Sequence, residues 1–164
     1  MDYGMIGKIE KAKRYAEERH RITFNSLLVQ FKGDHANYEL SLGPDGWQCT
    51  CSGFQKYGIC PHIMSLERLF SPMLKRDPLP YATGQNIVSD VEKAKRYADE
   101  KDRLVFITFD VIFNGSNSSH YTSFNQGKWD CDCDFFKSRG ACSHTMAMER
   151  ILKGMLPVPA TTQE

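Results

Sequence analysis

The sequence predicts an α+β fold made of two copies of a small domain, each running helix, three-stranded antiparallel β-meander, closing helix. Three observations predict it. Shifting the 164-residue chain by 82 positions aligns residues 9–70 with 91–152 without a gap, with 24 identities in 62 positions. Within each copy, apolar residues change from helical spacing to strict alternation and back. A cluster of three cysteines and one histidine occurs twice, at the same place in each copy. Self-similarity at a fixed period marks a repeated structural unit.

Each copy opens with a helix, Ile9 to Arg19 and Val91 to Lys101. Ile9, Ala12, Tyr15 and Ala16, with their twins Val91, Ala94, Tyr97 and Ala98, make one apolar stripe per helix. Ser89 and Glu92 fit a capping box, which would start the second helix; Gly7 stands at the matching place in the first copy. A first strand follows, Leu27 to Phe31 and Phe109 to Phe113, with Leu27, Val29, Phe31 and Phe109, Val111, Phe113 alternating inward. Gly33 to Asn37 and Gly115 to Ser119 read as hairpin loops, leading to second strands at about 38–42 and 120–124. Turns at Gly43-Pro44-Asp45-Gly46 and Asn125-Gln126-Gly127-Lys128 lead to a third strand, Trp47 to Cys51 and Trp129 to Cys133. After an eight-residue loop, Pro61 to Phe70 and Ser143 to Leu152 read as the closing helix, with Pro61 suited to its first position. Met64, Leu66, Leu69 and Phe70 would face inward, as would Met146, Met148, Ile151 and Leu152. The implied boundaries are 1–75 for the first copy, 76–88 for a proline-punctuated linker, 89–156 for the second copy and 157–164 for a flexible tail.

Both clusters read Cys-x-Cys, eight residues, Cys-x-His: Cys49, Cys51, Cys60, His62 and Cys131, Cys133, Cys142, His144. They use all six cysteines of the chain. Three thiolates and one imidazole are the ligand set of a closed, tetrahedral, structural Zn²⁺ site, which implies two zinc ions per chain. Disulfides would leave the matching histidines unexplained, and an iron–sulfur centre would have only three cysteines per site. With Cys-x-Cys on a strand, both thiolates would project to one face; Cys60 and Cys142 would cap the closing helix, whose N-terminus favours thiolate. Lys56, Lys137 and Arg139 are placed to offset the site's negative charge. A structural zinc contributes about 10–16 kcal/mol in small peptides, as much as the whole stability of a small domain. Each half should therefore unfold without its metal.

Composition and charge exclude several classes. No apolar run approaches a membrane span, and the N-terminal stretch MDYGMIGKIEKAKRY lacks the apolar core of a secretory signal. The chain is therefore expected inside the cell, cytoplasmic if its source is bacterial or archaeal, where clustered thiols bind metal. Net charge is +1, with +2 over residues 1–80 and −1 over 81–164. Any nucleic-acid footprint must then be local, since a dedicated binder shows a much larger basic excess.

The pattern Trp-x-Cys-x-Cys-x-x-Phe, three residues, Gly-x-Cys-x-His, then a helix ending Glu-Arg-hydrophobic, resembles the SWIM zinc finger. It is carried by Trp47, Cys49, Cys51, Phe54, Gly58, Cys60, His62 and by Trp129, Cys131, Cys133, Phe136, Gly140, Cys142, His144. The resemblance implies DNA binding or protein binding. It does not choose between them.

The residues around the metal motif offer three further readings. Trp47, Trp129, Phe54 and Phe136 could stack on bases, but large apolar residues beside a metal site read first as its packing. Lys11, Lys13, Arg14 and Lys93, Lys95, Arg96 form an identical KAKRYA segment in both copies and, with Lys56, Lys137 and Arg139, are the candidate phosphate contacts. Asp130, Asp132 and Asp134 interleave with the second Cys-x-Cys pair and would make that finger repel phosphate. His20, His35 and His120 are not shared between copies and read as surface. No nucleophile–base pair, phosphate loop or paired-carboxylate motif stands out, so no catalytic residue and no small-molecule substrate are expected. The chain thus reads as a non-enzymatic recognition adaptor, leaning to nucleic acid and to DNA over RNA. A protein partner, with no direct nucleic-acid contact, is the competing expectation.

Overall fold

In the computed structural model the described residues are 3–115 and 117–157, so Ser116 and all of the expected tail except Pro157 lie outside them. Helix α1 (Tyr3–Glu17) leads through a 3-10 turn (Arg19–Arg21) into strands β1 (Ile22–Lys32), β2 (Asn37–Gly43) and β3 (Gly46–Cys49). A short helix α2 (Ser52–Tyr57) precedes the closing helix α3 (Pro61–Leu74). The second copy repeats this as α4 (Ile87–Asp99), a 3-10 turn (Lys101–Arg103), β4 (Leu104–Asn114), β5 (Ser119–Asn125), β6 (Lys128–Cys131), α5 (Asp134–Arg139) and α6 (Ser143–Ile151).

The two meanders join into one six-stranded antiparallel sheet of order β3-β2-β1-β4-β5-β6. Its centre is the β1–β4 seam, where Ile22 opposes Phe113 and Phe31 opposes Leu104. Leu27 opposes Phe109, the same position of the two copies, so a pseudo-two-fold axis passes through that pair. The helices cross the seam: α1 packs on α6 and α4 packs on α3, so each opening helix rests on the other copy's closing helix. One core results. Phe24 and Phe106, equivalent residues of the two copies, stack at 6.1 Å, and Phe70 and Phe109 each meet both rings edge-on at 5.7–6.0 Å.

The meander and both flanking helices form as the sequence predicts, with four local differences. The first strands are twice as long as alternation suggested, because the pairing shifts register between Phe24 and Ser26 and again between Leu28 and Val29. One extra residue per strand, Asn25 and Ile107, switches the buried set from Ile22 and Phe24 to Leu27, Val29 and Phe31, and likewise in β4. Helix α4 starts a turn earlier than the Ser89/Glu92 box implied: Asn86 Oδ1 accepts the Ser89 N–H at 3.1 Å, so Ser89 is inside the helix. In the first copy the helix runs straight through Gly7, and Ile9 stays exposed because the stripe is buried only from Ala12 onward. The eight-residue loops are not loops throughout, since each contains a short helix. These helices end on Gly58 (φ 74°) and Gly140 (φ 76°), a left-handed cap that glycine adopts without Cβ strain and that turns the chain back toward the next cysteine.

Candidate metal centres and the surfaces around them

Three elements assemble each cysteine–histidine cluster. Strand β3 delivers Cys49, which is buried on the core side of the sheet. Cys51 has left the strand and caps α2, contrary to the two-on-a-strand expectation; its Sγ accepts the Phe54 N–H at 3.3 Å. Cys60 caps α3 and accepts the Ile63 N–H at 3.5 Å, with Pro61 at the first helical position and His62 in the first turn. In the second copy Cys131 ends β6, Cys133 caps α5, and Cys142 caps α6 in a box with Thr145, its Sγ accepting the Thr145 N–H at 3.5 Å. Two sulfurs per site thus lie at helix N-termini, where free N–H groups and the helix dipole favour thiolate.

The donor atoms of each cluster all lie within 4.8 Å of one another, and all eight residues are buried. Cys49 Sγ is 3.8 Å from His62 Nδ1, and Cys131 and Cys142 Sγ are each 3.6 Å from His144 Nδ1. Edges of about 3.5–3.8 Å are what a tetrahedron with Zn–S near 2.3 Å and Zn–N near 2.1 Å requires. Two Cys₃His clusters therefore suit two structural zinc ions. The thiols share protons unequally. Hydrogen bonds from Cys49 and Cys60 hold Cys51 far below the usual thiol range, while Cys51 pushes Cys49 up to about 11 and Cys49, with Cys51, pushes Cys60 higher. In the second cluster the Cys131 thiol lowers Cys142 and is itself pushed up to about 11 by it, and burial raises Cys133. Such a nest holds one thiolate comfortably; three need a cation, whose entry expels the remaining protons.

The ligand histidines are covered by aromatic rings from both copies. His62 meets Phe31 and Tyr38, each with centroids at 4.6 Å, and stacks on Tyr97 of the other copy at 5.6 Å and 8°. His144 meets Phe113 at 5.0 Å and His120 at 4.8 Å, and stacks on Tyr15 of the other copy at 5.8 Å and 16°. His120 is thus not the plain surface residue expected: it covers a ligand where Tyr38 does so in the first copy, and its Nδ1 lies 3.0 Å from Asp132. Trp47 is buried, and Trp129 packs against Phe109 and Phe124, which makes both part of the core.

The candidate cations separate. Lys11 and Arg14 lie on α1 beside the second cluster, Lys11 Nζ and Arg14 Cζ standing 5.5 and 5.7 Å from the centre of the Tyr15 ring. Lys13 and Lys95 pair within their own helices with Glu10 and Glu92, both at 3.7 Å. Arg96 pairs with Asp34 at 3.8 Å and Glu100 at 3.7 Å, while Lys93 is exposed on the same helix. Lys56, Lys137 and Arg139 fall in the last turns of α2 and α5, at the opposite end from the capping cysteines, with Lys56 over Tyr57 and Arg139 over Phe135. Backbone N–H groups, rather than these side chains, meet the sulfurs. Asp130, Asp132 and Asp134 are exposed. Sequence reasoning missed Lys8, whose Nζ is 5.1 Å from the Phe135 ring centre. Its three-residue spacing from Lys11 and Arg14 was visible, but its twin is Asp90, so comparing the copies hid it.

The SWIM zinc finger family model matches residues 28–68 and 109–152. Neither a curated protein nor a solved structure matches the chain. No helix among the described residues is long and apolar enough to cross a membrane.

Proposed function

The chain belongs to the SWIM zinc finger family, and on that premise we propose that it is a non-enzymatic recognition adaptor that associates with nucleic acid, with DNA in preference to RNA. One observation carries the reading. The KAKRYA segment is identical in both copies, and the crossed helices lay each of its two basic faces over a zinc cluster. Rigid metal-pinned elements carrying outward cations suit backbone phosphates, which are met by charge rather than by chemistry. Four protein ligands per site leave no open coordination position, which supports a structural rather than a catalytic metal. Six buried reduced cysteines accord with an intracellular setting.

A protein-binding adaptor is the second reading. It is favoured by the net charge of +1 and by the exposed acids Asp130, Asp132 and Asp134 on the second finger. Gel shifts with single- and double-stranded DNA and RNA decide between them. A phosphate binder should shift at low salt and lose affinity steeply as salt rises. No shift with any of the four would leave the protein-binding reading standing alone.

A further inference from the structure

We infer that the cleft between α1 and the second zinc finger is the seat of a nucleic-acid phosphate, and that the matching cleft at the first finger is closed by the protein's own carboxylates. The inference rests on the nucleic-acid reading above and assigns it to one place.

The open cleft is polar and encloses about 400 Å³. Lys8, Lys11 and Arg14 line one wall from the first copy; Ser118, His120 and Phe135 line the other from the second. Cations at steps of three along α1 fall on one face of the helix. Among the described residues, no carboxylate comes within ion-pair distance of Lys8, Lys11 or Arg14. Their charged ends stand over the rings of Phe135 and Tyr15, at 5.1–5.7 Å from the ring centres, which positions the charges without neutralising them.

The pseudo-two-fold axis supplies the control. At the first finger the place of Lys8 is taken by Asp90, which accepts a hydrogen bond from Gln85 at 3.0 Å. The first hairpin carries Asp34, which accepts from Arg103 at 2.8 Å and pairs with Arg96 at 3.8 Å; the second hairpin has Ser116 at that sequence position. The Arg103 guanidinium holds the Asp34 carboxyl below its usual range, so the acid stays charged and keeps both arginines occupied. Lys8 in place of Asp90 adds two charges to the second cleft, and the Asp34 charge of the first cleft has only an uncharged residue at the equivalent sequence position, while Asp134 in place of Ser52 and Asp132 in place of Thr50 each remove one. The second cleft is therefore more positive by one. The zinc clusters contribute equally on both sides, and Asp132 is turned to His120 at 3.0 Å. The acids of the second finger, read from the sequence as repelling phosphate, are matched one for one by Lys8, Lys11 and Arg14, which the crossed helix brings from the other copy to line the cleft.

The test uses the full zinc-loaded chain and fluorescence anisotropy of labelled single- and double-stranded DNA over a salt series. The Lys8→Gln/Lys11→Gln/Arg14→Gln variant should lose at least about tenfold in affinity and flatten the salt slope by about two to three on duplex, with zinc content and melting temperature kept. Lys93→Gln/Arg96→Gln should lose less than about threefold. If wild type binds but both variants lose equally, or the triple variant binds as wild type does, the inference is overturned while the nucleic-acid reading stands. If wild type binds no DNA at low salt, both fall. If inorganic phosphate or polyglutamate displaces DNA at equal charge concentration, the cleft is a general anion or acidic-peptide seat and the assignment to nucleic acid is overturned.

Discussion

Tyr15 and His144 belong to different copies of the repeat, yet their rings stack with centroids 5.8 Å apart and planes 16° apart. Tyr97 and His62 repeat the contact across the pseudo-two-fold axis at 5.6 Å and 8°. Each ligand histidine is thus oriented by a helix that the other copy supplies. Replacing Tyr15 by Ala should cost about 3–5 kcal/mol for the lost ring. It should also weaken zinc at the second site by about tenfold or more, as loss of an outer partner of a ligand does. Thiol labelling with mass spectrometry checks it: at the earliest times Cys131, Cys133 and Cys142 should be labelled ahead of Cys49, Cys51 and Cys60, which follow quickly once the first zinc is lost. Tyr97→Ala should reverse the order. Labelling of the variant's own copy first would refute the crossed arrangement.

The same crossing makes the metals interdependent. Each finger's helix packs on an element of the other copy, so a chain with one zinc has lost part of the support of both sites. Metal analysis should give two zinc ions per chain. Titration with a chelator, followed by native mass spectrometry, should pass from two zinc to none with little of the one-zinc species. A His144→Ala chain should hold less than one zinc. A folded species with one zinc at high occupancy would show the sites to be independent.

Glu67 gives a pH-dependent prediction away from the metal. Burial raises its carboxyl above the ordinary 4.5, against a smaller lowering from the Leu79 N–H that Oε2 accepts at 2.8 Å. The folded chain therefore holds this proton to higher pH than the unfolded chain. Stability from this group is full below the ordinary value and is lost as pH rises through the raised one. Glutamine can still accept the Leu79 N–H and has no charge to bury. Glu67→Gln should thus be more stable than wild type near neutrality, with the advantage shrinking as pH falls through the raised value toward the ordinary 4.5. Urea midpoints with zinc in excess measure it, since metal loss then acts on both chains alike. An advantage that grows on acidification would disprove the buried-charge account.

All eight metal ligands, the duplication and the order of the strands and longer helices were legible in the sequence, because ligand spacing and periodicity are local signals. Half of β1 and β4 was not. The bulges at Asn25 and Ile107 break the alternation, so Ile22 and Phe24 fall out of phase with Leu27, Val29 and Phe31. The departure of Cys51 from β3 was hidden because a cap and a strand residue look alike when both are cysteine. The crossing of the helices was invisible for a stronger reason: the Ala12–Tyr15 stripe is the same whether α1 packs on its own copy or on its twin. Only the pairing of β1 with β4 decides.

That symmetry predicts what one copy does alone. Residues 1–82 without the rest would leave β1 as an open sheet edge, α3 without α4, and His62 without Tyr97. Exposed edges of this kind pair with other chains. Every missing partner has an equivalent within residues 1–82 themselves: β1 for β4, α1 for α4, Tyr15 for Tyr97 and Arg21 for Arg103. Two such chains can therefore rebuild the sheet around a true two-fold axis, with Leu27 opposite Leu27 and each Tyr15 on the other chain's His62. In the whole protein Arg21 and Arg103 already make matching bonds across the seam, to the carbonyls of Asn114 at 3.1 Å and Lys32 at 2.8 Å. Analytical ultracentrifugation should find residues 1–82 as a dimer with one zinc per chain. Leu27→Asp, which puts two charges face to face at the axis, should leave an unfolded chain that fails to hold zinc. A folded, zinc-loaded monomer of residues 1–82 would mean that each copy closes its own core, and would refute the dependence of one finger on the other.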